Sequence, residues 1–487
     1  MKGSFRASMA WLHTGLGLIT GWVLFAIALS GTLSIFRQDI STWMRPELSA
    51  YPVQTIDATS HAISWLSEHA LASPAWYLAV PNPHAPFTFA TWQTPHDGYV
   101  QKALAPATGS PDLIRDTYGG EFFYRFHFEL QLPYPYGRLI AALAAMALVV
   151  GLLTGLIIHR RIFADFFTFR PNKKQRSWLD AHNLLGVVAF PFHLMISFTG
   201  AVTLVTLLLP WSPQAVYKQD LMSAYTDLDP GLESRPASGV PGKLTPIKPL
   251  LQEAERRFGG TGIAHVYIFN PSDKAALISI MAANNGTIST LSHSLTFDGT
   301  TGRILKEHIE KRPAIRTYAF LYGLHIARFA PDVTRWLYFI SGLMLTAVIG
   351  SGMRLWTIKR LRLPHHLGHI LADRLNAGIL AGAPLAFASY FLVNRLLPAT
   401  MAHRGDHEIQ CVFIVWGLAL GLALLQPARR AWLQILSTCA LACAGIAILG
   451  APWANPVQTG VSLVSLALAG AFGYAAFHSY HAGNAQA

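Results

Sequence analysis

The chain has 487 residues, 52% of them hydrophobic and only 13% charged, where a soluble protein of this size carries about a quarter charged residues. The net charge of +12 does not point to nucleic acid, because Lys and Arg gather in short loops between apolar runs, where they set membrane topology. The three cysteines, Cys411, Cys439 and Cys443, lie in or beside late apolar runs, which argues against a disulfide framework or a zinc site.

Eight apolar runs are each long enough to cross a hydrocarbon core of ~30 Å as a helix. The first spans 9–36; it is longer than a signal-peptide core, lacks a small-residue cleavage site and is predicted to remain as an anchor. A connection over 38–137 follows, with a helix around Ile56–Leu71, strands around Trp76–Val80 and Phe87–Trp92, and an Ala105-Pro106-Ala107-Thr108-Gly109 turn. Runs at 139–158 and 184–209 lead to a second connection, 210–333. That connection reads as a helix, Pro246–Phe258, then strands Ala264–Phe269, Ala275–Met281 and Ser294–Asp298, a Thr301-Gly302 turn and a short strand, Arg303–Lys306. A fourth run, 336–356, ends the duplicated module of helix, α+β connection and helix. Runs at 377–397, 409–425, 431–449 and 457–477 form a separate carboxy-terminal unit over 375–480. The predicted class is thus a predominantly α-helical polytopic membrane protein with two α+β domains outside the bilayer.

The connection after the second run holds Arg160, Arg161, Arg170, Lys173, Lys174 and Arg176, and the one after the fourth holds Lys359, Arg360, Arg362 and Arg374. Positive loops stay cytoplasmic, which puts both termini inside and the two long connections in the periplasm.

Histidines repeat with the duplication. His13 opens the first run and His182 the third; each is followed by a Gly four residues on (Gly17, Gly186) and another eighteen on (Gly31, Gly200). Tyr124-Arg125-Phe126-His127 precedes the second run and Tyr322-Gly323-Leu324-His325 the fourth, with Arg138 and Arg335 following at nearly equal spacing. A haem iron in a membrane takes two neutral imidazoles from two helices. A pseudo-twofold axis along the membrane normal would bring His13 to His182 at the cytoplasmic end and His127 to His325 at the outer end, giving two bis-histidine b-type haems. No Cys-x-x-Cys-His occurs for a thioether-linked haem. Singly, His13 or His182 reads more readily as an interfacial histidine capping a helix end; the matched pair favours haem.

His193 breaks the symmetry, since its counterpart is Leu24. It lies eleven residues after His182, on the same face of a straight helix after a rise of about 16 Å, and is an alternative ligand for the outer haem. Pro133 and Pro135 separate His127 from the second run, which places it on a short surface segment. His159 is a further candidate at the inner end. Propionates need cationic partners; Arg160, Arg161 and Arg176 stand inside, and Arg125, Arg138, Arg328 and Arg335 outside. The run Pro364-His365-His366-Leu367-Gly368-His369 has metal-binding side chains but no specified geometry. No phosphate-binding glycine loop follows a strand and opens a helix, so electrons would come from quinol or from a cytoplasmic flavin reductase.

Trp178-Leu179-Asp180-Ala181-His182-Asn183, Pro191-Phe192-His193-Leu194 and Phe126-His127-Phe128-Glu129 resemble, in order, motifs of the PepSY-associated transmembrane family, and the two connections resemble PepSY domains. The resemblance covers roughly 9–357. It implies an inner-membrane protein similar to b-type haem reductases that release iron from ferric siderophores. The expected partners are then the bilayer and a ferric chelate. Two other readings remain open: a non-redox PepSY sensor with structural histidines, and a haem oxidoreductase acting on copper, a quinone or a periplasmic thiol.

Overall fold

The computed structural model describes residues 4–48, 53–94, 98–159, 169–171, 173, 175–209, 211–218, 220, 234–283, 286–291, 293–361, 366–450 and 455–484. Arg160, Arg161, Lys174, Arg362 and His365 lie outside these. The chain divides into two compact units. One takes the chain up to Met44, Thr117–Leu208 and everything from Asp332 on; the other takes Arg45–Asp116 and Leu209–Pro331.

In the first unit the duplicated module supplies α1 (Phe5–Ser34), α2 (Arg37–Trp43), α4 (Glu121–Glu129), α5 (Tyr136–Ile158), α6 (Gln175–Val188), α7 (Phe190–Thr203) and α10 (Asp332–Arg360). The Ser4 hydroxyl starts α1 by accepting from the Ala7 amide. α1 packs on both α5 and α10, α6 packs on α10, and α5 packs on α7. This is the pairing a pseudo-twofold relation between the repeats requires. The carboxy-terminal part adds α11 (Leu367–Asn376), a π-turn (Ala377–Ala381), α12 (Gly382–Leu396), α13 (Arg404–Leu425), α14 (Ala428–Leu449) and α15 (Pro456–Asn484). Their shared core is rich in small side chains, among them Ala381, Ala386, Ala419 and Ala431, which let apolar helices approach closely. Seven helices among the described residues are long and apolar enough to cross a bilayer, or eight if the bent pair α6–α7 counts as one. The protein is a polytopic membrane protein.

The predicted single span at 184–209 is broken. α6 and α7 meet at 71°, because Pro191 stands in the first turn of α7. Proline lacks an amide donor, and its ring excludes the helical turn before it, so a helix ends there and restarts. His182 and His193 therefore do not share one face of a straight helix.

The second unit also departs from the expected pair of separate domains. Its elements are α3 (Thr55–His69), β1 (Ala75–Ala79), β2 (Thr88–Gln93), β3 (Tyr99–Leu104), α8 (Ile247–Arg257), β4 (Ile263–Phe269), β5 (Leu277–Ala282), β6 (Ser294–Asp298), β7 (Ile304–His308) and α9 (Pro313–Ile326). All seven strands join one antiparallel sheet in the order β3-β2-β1-β4-β5-β6-β7. Each half contributes a helix followed by strands, and the halves meet where β1 pairs with β4, Tyr77 opposite Tyr267. One half brings three strands and α3, the other four strands and α8. Joined, Trp76, Leu78, Val266, Ile268, Ile280 and Leu295 make one core with Leu66 of α3 and Leu251 of α8.

Candidate functional site

The structure brings His13 and His182 together. Their ring centroids are 6.3 Å apart and their planes are 78° from parallel. Each ring is fixed from behind in the same way. Nδ1 of His13 lies 2.9 Å from the Gly151 carbonyl and 3.2 Å from the Thr154 hydroxyl. Nδ1 of His182 lies 2.9 Å from the Val348 carbonyl and 3.1 Å from the Ser351 hydroxyl. A carbonyl can only accept, so Nδ1 carries the proton and donates it. Each neutral imidazole then presents its Nε2 lone pair, and no other group among the described residues bonds either Nε2. A backbone partner on Nδ1 is the usual means of orienting a metal-binding imidazole.

The pair also has the right spacing. With a metal–imidazole bond of about 2.0 Å and a ring centroid about 1.2 Å behind Nε2, two imidazoles facing one metal ion have centroids roughly 6.4 Å apart. The residues present thus fit a bis-histidine metal centre. Glycines one turn beyond each carbonyl make room for the rings. A Cβ on Gly155 would fall 3.2 Å from Cε1 of His13, and one on Gly352 would fall 3.1 Å from Cε1 of His182. The glycines singled out four residues after each histidine do less: Gly17 has nothing within 4 Å, and Gly186 only a Val348 methyl at 4.0 Å.

His127 repeats the arrangement on α1. Its Nδ1 is 2.8 Å from the Ile27 carbonyl, and its ring covers Gly31, where a Cβ would fall 2.5 Å from Nδ1. Carbonyl n and glycine n+4 of a neighbouring helix thus seat all three rings. His127 does sit on a short helix apart from α5, but its ring packs inward on α1 and does not belong to a surface segment. α4 ends at Leu130 in left-handed conformation (φ 54), as α9 ends at Ala327 (φ 52). His325 occupies the last turn of α9, in the sheet-bearing unit.

His193 is turned the other way. It is fully buried, its Nε2 lies 3.3 Å from the Ser341 carbonyl, and its Nδ1 has no hydrogen-bond partner. The backbone amide of His159 closes α5 on Gly155, and no ring contact joins its side chain to His13 or His182. The arginines differ from expectation as propionate partners. Arg138 is paired with Glu129 at 2.5 Å and lies over Phe128 and Tyr134. Arg335 is paired with Asp39 and bonds the Ile35 carbonyl. Carboxylates already balance both charges. Arg176 is exposed at the start of α6. Two residues before His182, Asp180 is buried and held by Arg170 through both oxygens, at 2.8 and 2.7 Å. In the His365–His369 run predicted to hold metal-binding groups, His366 caps α11 by accepting from the Gly368 amide. No cluster of three or more His, Cys, Asp or Glu suited to a metal ion occurs among the described residues.

Sequence reasoning missed the hydroxyls and glycines behind the rings. Thr154 and Ser351, and Gly155 and Gly352, recur at the 197-residue spacing of Arg138 and Arg335, a signal that was available.

Fold and site together define a polytopic membrane protein built by duplication, with inward-facing histidines matched between its two repeats. The model of the PepSY-associated TM region matches residues 10–359, and the chain belongs to that family. An uncharacterized protein of Pseudomonas aeruginosa is 26% identical to it over 353 residues, which cover 68% of this chain and 87% of that protein. Helices α11–α15 lie beyond the family match.

Proposed function

We propose that this chain is an inner-membrane b-type haem protein that passes electrons outward to a ferric chelate, a siderophore complex being the substrate class that fits best. The His13–His182 pair carries the reading: two imidazoles of matched tautomer, from two repeats, with ring centroids 6.3 Å apart, would hold the haem iron between them. A haem bound there would supply a one-electron couple. The protein's own part is to hold both Nε2 lone pairs in place through the Gly151 and Val348 carbonyls. It also keeps the rings neutral in a low-dielectric bundle, where unpaired charge is costly. His127 is the proposed ligand of a second, outer haem, with His193 the alternative partner, and His325 stays a candidate ligand by its place in the repeat. The overall step moves one electron to each Fe(III), yielding Fe(II) and the freed chelator. Hard oxygen ligands hold Fe(II) weakly, so reduction alone releases the metal. The electrons come from quinol, which gives two electrons and two protons, or from a flavin reductase on the cytoplasmic side.

Two measurements test this. A pyridine haemochrome assay on protein from haem-replete cells should give about two haems per chain, and His13→Ala and His182→Ala should each remove the same redox component. Reduced protein in sealed vesicles should be oxidised by a membrane-impermeant ferric siderophore only when the periplasmic face points outward. A colourless, monodisperse preparation would sink the haem reading, and equal oxidation in both orientations would sink the vectorial one.

A further inference from the structure

The carboxy-terminal helices contain the most buried charges of the helical unit, and neither the family match nor the proposed electron path uses them. Arg404 and Glu408, one turn apart at the start of α13, are both completely buried and form an ion pair. Around them lies a polar network. The Asn394 amide nitrogen of α12 donates to Glu408 at 2.8 Å and to the Met44 carbonyl at 3.2 Å. Arg404 donates to the Asn394 carbonyl. The other Glu408 oxygen accepts from Thr117. Two further bonds extend the network along the same strip of chain. The Tyr390 hydroxyl donates to the Gly119 carbonyl at 3.0 Å, and the Gly120 amide donates to Ser41 at 2.9 Å.

That strip, residues 117–120, leads directly into α4. One side of α4 faces the same helices. Phe122 and Phe123 pack on Phe387 and Tyr390, and Phe126 packs on Phe387 and Trp416. The other side places His127 on the Ile27 carbonyl and Gly31. A nine-residue helix is too short to hold its own orientation. Its rotation and height are set by what grips its start and its aromatic face. Gly405 shows how close the grip is, since a Cβ there would fall 3.1 Å from the Tyr118 ring.

We propose that helices α12 and α13 hold α4 in the register that seats His127 on α1, and that Glu408 is a positioning residue acting through Thr117 and α4. A buried ion pair contributes little net stability compared with an apolar pair, but losing one partner strands the other charge. Such a pair is suited to fixing a register. The proposal rests on the haem reading only in its spectroscopic arm, because the seating of the ring is a property of the apoprotein too.

The test uses the full-length protein in detergent. Histidine carbethoxylation by diethyl pyrocarbonate is followed residue by residue by mass spectrometry. In Glu408→Gln, labelling of His127 should rise at least about fivefold, with His13 and His182 unchanged. Tyr390→Phe, which removes one bond and no charge, should raise His127 labelling less. The paired Arg404→Met/Glu408→Met variant should lie nearer the wild type than Glu408→Gln. If haem is bound, the component lost in His127→Ala should also shift its low-spin EPR g values in Glu408→Gln, while the His13–His182 component keeps its own. A uniform rise at all three histidines, or none at His127 in either single variant, overturns the proposal. Selective His127 labelling in a colourless protein keeps the seat and overturns the haem reading instead.

Discussion

Gly31→Ala is the sharpest single perturbation of the site, and Gly17→Ala is its built-in control. Both glycines lie within α1, where Ala is favoured over Gly by about 1 kcal/mol. At Gly17 a Cβ meets nothing within 4 Å, so that gain stands alone and the variant should be stabilised by roughly 0.5–1 kcal/mol. At Gly31 the Cβ would fall 2.5 Å from Nδ1 and 2.6 Å from Cε1 of His127, so the ring must leave. Overpacking of this kind costs about 1–3 kcal/mol, and loss of the 2.8 Å bond to the Ile27 carbonyl costs ~1 kcal/mol more. Set against the helix gain, Gly31→Ala should be destabilised by about 1–3 kcal/mol, some 2–4 kcal/mol below Gly17→Ala. Equilibrium unfolding in mixed micelles, followed by tryptophan fluorescence, measures the difference. If the two variants unfold together, His127 is not seated over Gly31, and the shared carbonyl-and-glycine pattern of the three rings is an accident.

Asp180→Asn should loosen the start of α6 by about 1.5–3 kcal/mol, the range for hydrogen bonds to a charged group, since the Arg170 fork loses its ionised partner; a limited-proteolysis rate at Arg170 that matches the wild type would refute this. If His13 and His182 hold a haem, His193→Leu should leave its spectrum intact, because the His193 Nε2 is engaged with Ser341; loss of that spectrum at low temperature would show the assignment to be wrong. In the sheet unit, the Ser238 hydroxyl, with the Ala275, Ser238 and Gly239 amides, holds the Asp273 carboxyl at about 2. The folded value is below the ordinary one of about 3.9. The contribution of Asp273 is therefore complete above about pH 4 and lost as pH falls toward 2. Thermal melts between pH 5 and pH 2 should show a smaller acid loss in Asp273→Asn than in the wild type.

The spans, the helix-then-strands order of both connections and the His13–His182 pairing were legible because each rests on a local pattern or on the internal repeat. Ser294–Asp298 was placed to the residue, since Asp298 ends the strand by capping the turn through Thr300 and Thr301. The break at Ala189 was missed although Pro191 announced it; the apolar run outweighed the proline. β3, Tyr99–Leu104, was missed: it opens on an exposed Tyr99 and a half-buried Val100, and Gln101 and Lys102 break its apolar run before Ala103 and Leu104 enter the core. The β1–β4 seam could not be read, because no sequence pattern says which edge strand meets which. Gly31 was noticed as a member of the repeat, but its purpose is to receive a ring from a helix about ninety residues away. Arg404 and Glu408 stand just before the apolar run at 409–425 and Asn394 inside the run at 377–397, and polar groups at membrane depth are costly unless partnered.

The seam between the half-sheets also has a consequence in time. Ala79 ends β1 and Ile263 begins β4, and the intervening chain includes β2, β3, α5 and the bent pair α6–α7. At translation speeds of about 5–20 residues per second, roughly 10–40 s pass between them. Throughout that interval β1 is an open edge with unsatisfied backbone groups, the kind of surface that recruits foreign strands. The first half-sheet must therefore wait, exposed, for membrane insertion to catch up. A chaperone that shields strand edges, or a slowed insertion of α5 to α7, should govern the yield of this protein more strongly than its final stability does.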